Sequence, residues 1–198
     1  MLLNHFINIY IKIFFVLTPF FVLSTFLSLT NSFSENEKKK TAVKVTIAVM
    51  IISIVLYFAG NQIFEVFGIT LNSFRIGTGA LLFLSAVNLI QDKGQETDKP
   101  QRHDVAVVPL AIPVTVGPAT TGTLLVMGVE TQGFLQNLLG ILAVCLAVIT
   151  VGILLYLSGR IEKMLKKQGL SILSKLTGLI LAAISAQMIM MGVLGFLK

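Results

Sequence analysis

Residues 106–123 read AVVPLAIPVTVGPATTGT, and the way this stretch is resolved decides the fold. Three prolines (Pro109, Pro113, Pro118) and two glycines (Gly117, Gly122) fall in one membrane-length apolar segment, with Thr115, Thr120, Thr121 and Thr123 among them. Each proline removes a backbone donor and crowds the carbonyl four residues back, so a regular helix cannot pass through undisturbed. Freed backbone groups in lipid persist only where protein or a watery cavity meets them. The segment is therefore both an interrupted helix and the first candidate for a site.

Outward from it, the chain is apolar throughout. Of 198 residues 55% are apolar and 12% charged, and the mean hydropathy is +0.90, which excludes an ordinary soluble domain. Six segments, at about 7–29, 42–60, 72–90, 105–127, 134–157 and 172–196, each supply the apolar length a bilayer demands of a helix. Runs such as IAVMIISIVLYFAG do not alternate with period two, so outer-membrane strands are excluded. The expected class is an all-α polytopic membrane protein, one membrane domain over residues 1–198 with the lipid bilayer as its main partner. The N-terminus MLLNHFINIYIKIFF lacks the features of a cleaved signal peptide and reads as a retained first helix.

Segment one carries its own interruption, FVLTPFFVLST, with Thr18 and Pro19 near its centre. The following NSFSENEKKK places Ser34 three residues before Glu37, a capping box that opens the second helix or an interfacial turn leading into it, and that helix is expected to end near Gly60. The polar loop QDKGQETDKPQRHD divides the chain nearly in half, and its His103 and acids lack metal-ligand spacing. After segment five, RIEKMLKKQG reads as a basic amphipathic connection at the membrane surface. The single Cys145 excludes an internal disulfide.

A shift of 99 residues lays the chain on itself without a gap, bringing Pro19 onto Pro118, Gly79 onto Gly178 and Asn88 onto Gln187. It also superposes Ala48–Gly60 on Ala147–Gly159 with six identities in thirteen, against about two expected from apolar composition. Repeats of residues 1–99 and 100–198, each with three spans, must enter the membrane from opposite sides. The charges agree: Lys38, Lys39, Lys40, Lys44, Lys93, Lys99, Arg102, Arg160, Lys163, Lys166, Lys167 and Lys175 follow segments one, three and five, whereas Lys12, Arg75 and Lys198 belong to the other side. Those three loops are therefore expected in the cytoplasm, with both termini outside. The net charge of +6 reports this orientation, not nucleic-acid binding. The expectation is two inverted three-helix repeats with helices 1 and 4 interrupted at Pro19 and Pro118, a secondary-transporter architecture with its site at the midplane.

All nine Asp and Glu residues fall in loops or at helix ends, which argues against an intramembrane proton relay and against a cationic substrate. Half-helix N-termini favour an anionic group, while released carbonyls and hydroxyls accept from an ammonium or coordinate Na⁺. A small neutral or zwitterionic substrate suits such a site. Its candidate residues are Thr18, Pro19, Ser24 and Thr25 in the first half, and Thr115, Gly117, Pro118, Thr120 and Thr121 in the second. Asn88 and Gln187 stand beside them, with helix–helix hydrogen bonding as the bland alternative. No metal site and no cofactor is expected, a coupling ion (Na⁺ or H⁺) is left open, and a homo-oligomer is compatible with the reading. GxxxxGK[ST] is absent, so direct ATP use is not expected.

VPLAIPVTVGPATTG resembles the V-P-L-A-x-P-x-x-x-G-P-G segment of the MarC family of bacterial inner-membrane proteins, also described as a six-helix neutral amino acid transporter family. FGITLNSFRIGTGALL is similar to the family's F-G-I-…-R-I-A-G-G stretch. The resemblance implies six helices, both ends outside a bacterial cytoplasmic membrane, and uptake of small neutral amino acids such as glycine and alanine. The chain departs from it at Thr18, where Asn is usual before the proline, at Ala119, where Gly is common, and at Gly77-Thr78-Gly79, where the two glycines adjoin. Export of another small metabolite is the near alternative. A non-transporting membrane scaffold or subunit is a further one, and a membrane-embedded enzyme is disfavoured by the lack of clustered catalytic groups.

Overall fold

The computed structural model describes residues 2–91, 106–131 and 133–197, all helical or in the joints between helices. The loop 92–105, with Lys93, Lys99, Arg102 and His103, and the terminal Lys198 lie outside the described residues. In chain order the elements are α1 (Leu2–Val16), α2 (Pro19–Leu29), α3 (Glu35–Phe67), α4 (Leu71–Gln91), a π-helical segment π1 (Ala106–Thr115), α5 (Pro118–Glu130), α6 (Phe134–Tyr156) and α7 (Ser158–Phe196). Among the described residues five stretches are long and apolar enough to cross a membrane: Phe6–Leu29, Glu35–Phe67, Leu71–Gln91, Phe134–Tyr156 and Gln168–Phe196.

The expectation of six crossings thus meets five such helices, and the difference lies at 106–130. The prolines there divide the segment into a 10-residue π1 and a 13-residue α5. At 1.5 Å per residue a 13-residue α-helix reaches about 20 Å, short of the roughly 30 Å hydrocarbon core. Segment one is also divided, since α1 stops at Val16 and α2 starts at Pro19. Proline occupies the first helical position of both α2 and α5, where the missing N–H would have no intrahelical acceptor anyway. In π1 the wider turn shows directly, Val116 N–H reaching back five residues to the Ala111 carbonyl.

The Ser34–Glu37 capping box is formed, with the Ser34 N–H donating to Glu37 Oε2 at 2.7 Å and Ser34 Oγ accepting from the Glu37 N–H at 3.4 Å. Gly60 does not end the helix as the sequence suggested. It is buried inside α3, where an added Cβ would lie 2.6 Å from the Leu125 carbonyl oxygen. The helix stops instead at Gly68, whose φ of 62° is the left-handed conformation a helix C-terminus takes most easily with glycine. Along α7 one residue, Lys166, leaves helical geometry (φ 53°, ψ 174°), separating a short basic stretch from Ser158 onward from the apolar helix that follows.

Exposed apolar side chains recur at helical spacing: Ile47, Ile51, Val55 and Phe58 on α3, and Leu135, Leu138, Leu142, Leu146, Ile149 and Ile153 on α6. Continuous apolar stripes of this length belong against lipid, not water. A large inner cluster joins α1, α2, α3, π1, α5 and α6 around Phe26, Leu110 and Val144. A second, smaller one (Val16, Leu82, Ala86, Leu89, Ala119, Leu181) packs α4 and α7 against the two breaks.

The most extensive helix pairing is antiparallel, between α4 and α7, and small residues allow it. A Cβ at Gly79 would lie 2.6 Å from Ile189 Cγ1 and 3.1 Å from the Ser185 carbonyl oxygen. One at Gly178 would lie 2.9 Å from Ile90 Cγ1 and 3.0 Å from the Ala86 carbonyl oxygen. Shifted by 99, each of these contacts becomes the other. Gly77, by contrast, has open space around it, whereas Gly128 packs directly on the Tyr57 carbonyl. Gly128→Ala should therefore destabilise the purified protein by about 1–3 kcal/mol through overpacking, and Gly77→Ala should leave the thermal unfolding midpoint in detergent unchanged. Equal midpoints for the two variants would contradict this packing.

Candidate functional site

The two breaks meet. The helical donor to the Val16 carbonyl would be the Phe20 N–H, which the break carries into the first turn of α2, and Pro19 has no N–H for a tighter turn; Thr18 N–H goes to the Phe15 carbonyl at 2.9 Å, so the Val16 carbonyl finds its partner outside its helix. Thr120, in the first turn of α5, supplies it: its hydroxyl lies 3.2 Å from the Val16 carbonyl oxygen and 3.4 Å from that of Thr115. One buried side chain thus bridges the carbonyl ends of α1 and π1. Thr115 turns its hydroxyl back to the Leu110 carbonyl at 2.7 Å, another five-residue step of the π turn.

Beside this bridge lies a cavity of about 100 Å³. Its polar lining is Thr18, Gly117, Thr120, Ser85 and Asn88, with Pro118 between them, and Phe21, Leu82, Leu89, Val114 and Leu181 close it with apolar surface. No charged side chain among the described residues lines it. The N-terminal turns of both half-helices border it. The first backbone bonds in them are Val22 N–H to the Thr18 carbonyl and Thr121 N–H to the Gly117 carbonyl. The N–H groups of Phe20, Phe21, Ala119 and Thr120 therefore have no acceptor inside their own helices. Two helix N-termini, each carrying about half a positive charge, converge on one small space. Such an arrangement attracts a carboxylate-sized anionic group. Asn88 offers both donor and acceptor, and Ser85, which donates to the Leu81 carbonyl at 3.0 Å, keeps oxygen lone pairs free to accept.

The sequence candidates divide on this geometry. Thr18, Gly117, Pro118, Thr120 and Asn88 line the cavity. Pro19 is buried at the start of α2 and sets the break without lining it. Thr115 is buried in the joint and faces a narrow cleft against α3 and α6. Ser24, Thr25 and Thr121 sit along α2 and α5 outside the lining, and Gln187 is exposed on α7 away from it. Ser85 escaped the sequence reading, although it lies one helical turn before Asn88 on the same side of α4. Also unread was the ion pair of Arg75 with Glu130, Nε to Oε1 at 2.8 Å, which joins α4 to the end of α5.

Residues 3–197 match the family described as MarC family integral membrane protein. The chain belongs to the MarC family. A UPF0056 membrane protein of Aquifex aeolicus is 30% identical, the match covering 98% of this chain and 94% of that one. One from Methanocaldococcus jannaschii is 31% identical over 98% of both. YhcE of Escherichia coli, also a UPF0056 membrane protein, is 26% identical over 94% of this chain and 90% of its own. No solved structure matches.

Within this MarC-family chain the least relaxed point of the site is Thr18. It caps α2 with φ 48° and ψ 56°, a left-handed conformation that a β-branched residue rarely takes. Such strain costs about 1–3 kcal/mol, and Asn tolerates the conformation better. Thr18→Asn should accordingly raise the unfolding midpoint in detergent, and Thr18→Gly should do so as well; a fall in both would show that the hydroxyl outweighs the strain. Thr120→Val leaves two buried carbonyls without their shared donor and should cost about 1–3 kcal/mol, while Thr120→Ser should retain most of the wild-type midpoint.

Proposed function

We propose that the chain is a secondary transporter of small neutral amino acids or similar zwitterions, working by alternating access of two inverted three-helix repeats. The observation that carries the reading is the convergence of two half-helix N-termini on one uncharged cavity. A zwitterion places its carboxylate at the free N–H groups and its ammonium against Ser85, Asn88 and the Thr18 oxygens. A cation alone would meet two positive helix ends without a carboxylate to offset them. The size sets the class further: about 100 Å³ holds a few waters or a solute the size of glycine or alanine, well below the roughly 300 Å³ where drug-sized pockets begin.

In this reading π1 and α5 together make the sixth crossing, and the reciprocal contacts of Gly79 and Gly178 support the inverted repeat. The lysines at the start of α3 and the basic stretch of α7 support a cytoplasmic location for that end, with both termini on the outer side of a bacterial cytoplasmic membrane.

Purified protein in liposomes should accumulate labelled glycine, alanine or serine above empty liposomes under a proton or a sodium gradient, and the effective gradient names the coupling ion. Absence of flux for all three under both gradients overturns the substrate assignment. Asn88→Leu should lower that uptake about tenfold or more by removing a polar contact to a charged group, and Gly117→Leu should lower it as far by filling the cavity with its side chain, both with wild-type yield and elution volume. Unaltered uptake in both would remove the cavity from the mechanism.

A further inference from the structure

One face of α4 reads Arg75, Thr78, Leu82, Ser85 and Leu89 at three- and four-residue steps, a single stripe running down the bundle. Its lower part, Leu82, Ser85 and Leu89, borders the cavity. Above the cavity the stripe is closed twice. Thr78 is buried and lies directly against Gly122 of α5, leaving no room there even for a Cβ. One turn higher, Arg75 Nε donates to Glu130 Oε1 at 2.8 Å and Nη1 to Asn72 Oδ1 at 3.1 Å. The pair is largely withdrawn from water, with side-chain exposures of 16% and 28%. Arg75 stands about 15 Å along the helix axis from Ser85, so the pair seals the bundle well above the space it would guard.

The other end is built differently. Asn88 lines the cavity and is exposed, only three residues before α4 ends at Gln91. The 99-residue shift puts Ser174, Asn31 and Ala111 where Arg75, Glu130 and Lys12 stand. The ionic closure therefore has no equivalent at the three positions that the shift relates to it, which are neutral. A packing role alone gives no reason for that asymmetry, and an ion pair drawn into an apolar bundle is expensive to keep as packing, because each charge loses its hydration.

We propose that the Arg75–Glu130 pair is the gate that closes the cavity at the end away from the lysine-rich loops. The structure has that end shut, and at the other end of the cavity Asn88 is exposed. Opening separates the top of α5 from α4, carrying Glu130 off Arg75 and Gly122 off Thr78. The inference rests on the transport reading for what passes the gate, but the closure itself is measurable without any substrate.

With the sole cysteine removed as Cys145→Ser, Ser85→Cys reports access to the cavity from either side. A membrane-impermeant charged maleimide is applied to right-side-out and to inside-out vesicles. With the pair intact, labelling should be fast from the side of the basic loops and slow from the other. Glu130→Gln should raise labelling from the slow side about fivefold or more, the lower end of ordinary coupling between sites. Arg75→Glu combined with Glu130→Arg should restore the slow rate, and Glu130→Asp, which keeps the charge on a shorter stem, should give an intermediate rise and serves if the Gln variant fails to fold. No rise in either single variant, or an equal rise from both sides, overturns the gate. Raised slow-side labelling in a protein that moves none of the tested amino acids leaves the gate standing and removes the transport reading alone.

Discussion

The Thr120 hydroxyl holds the two interrupted segments to each other. It lies between the carbonyl oxygens of Val16 and Thr115, at 3.2 and 3.4 Å, on opposite sides of the meeting point. In an apolar interior an unpaired carbonyl is costly, so a break in a helix demands a donor from somewhere. Here the donor for one break comes from the half-helix that begins at the other. That requirement fixes how closely α1, π1 and α5 approach, and with it the position of the cavity beside them.

The remaining architecture serves this joint. α4 and α7 pack against it through Leu82, Ala86, Leu89 and Leu181, and their own antiparallel contact is drawn close by glycines. Ser185 adds a buried hydrogen bond to the Gly79 carbonyl at 2.8 Å, fixing the register of that pair. On the far side, α3 and α6 present apolar stripes outward and pack inward on α1 and π1. Strain collects where the joint is tightest, at Thr18, in keeping with left-handed non-glycine residues gathering at functional positions.

Much of this was legible beforehand because it depends on residue type. The prolines at 19 and 118 announced both breaks, and Ser34 with Glu37 announced the start of α3. Gly60 misled for a physical reason: a glycine late in an apolar run serves equally as a helix stop or as a point of close approach, and only the arrival of Leu125 against it decides which. In the fourth segment apolar length and the prolines pulled in different directions: residues 106–130 have the length of a crossing, but the stretch containing Pro109 and Pro113 takes the wider π turn and a new helix begins at Pro118. Of the site, Thr18, Gly117, Pro118, Thr120 and Asn88 were readable as polar or helix-breaking residues in an apolar run, and Ser85 was not singled out from other membrane serines.

The sequence by itself determined the membrane class, the places where helices must break, and the family. These follow from backbone hydrogen-bonding demands and from hydration, which each residue carries wherever it goes. Tertiary structure alone decided that Thr120 reaches Val16, that the side of α4 bearing Ser85 and Asn88 faces the cavity beside Thr18 and Gly117, and that Arg75 meets Glu130 across 55 residues of chain. Those meetings depend on the rotation and crossing of each helix about its neighbours. Packing of side chains from distant segments sets both, and no local pattern encodes them.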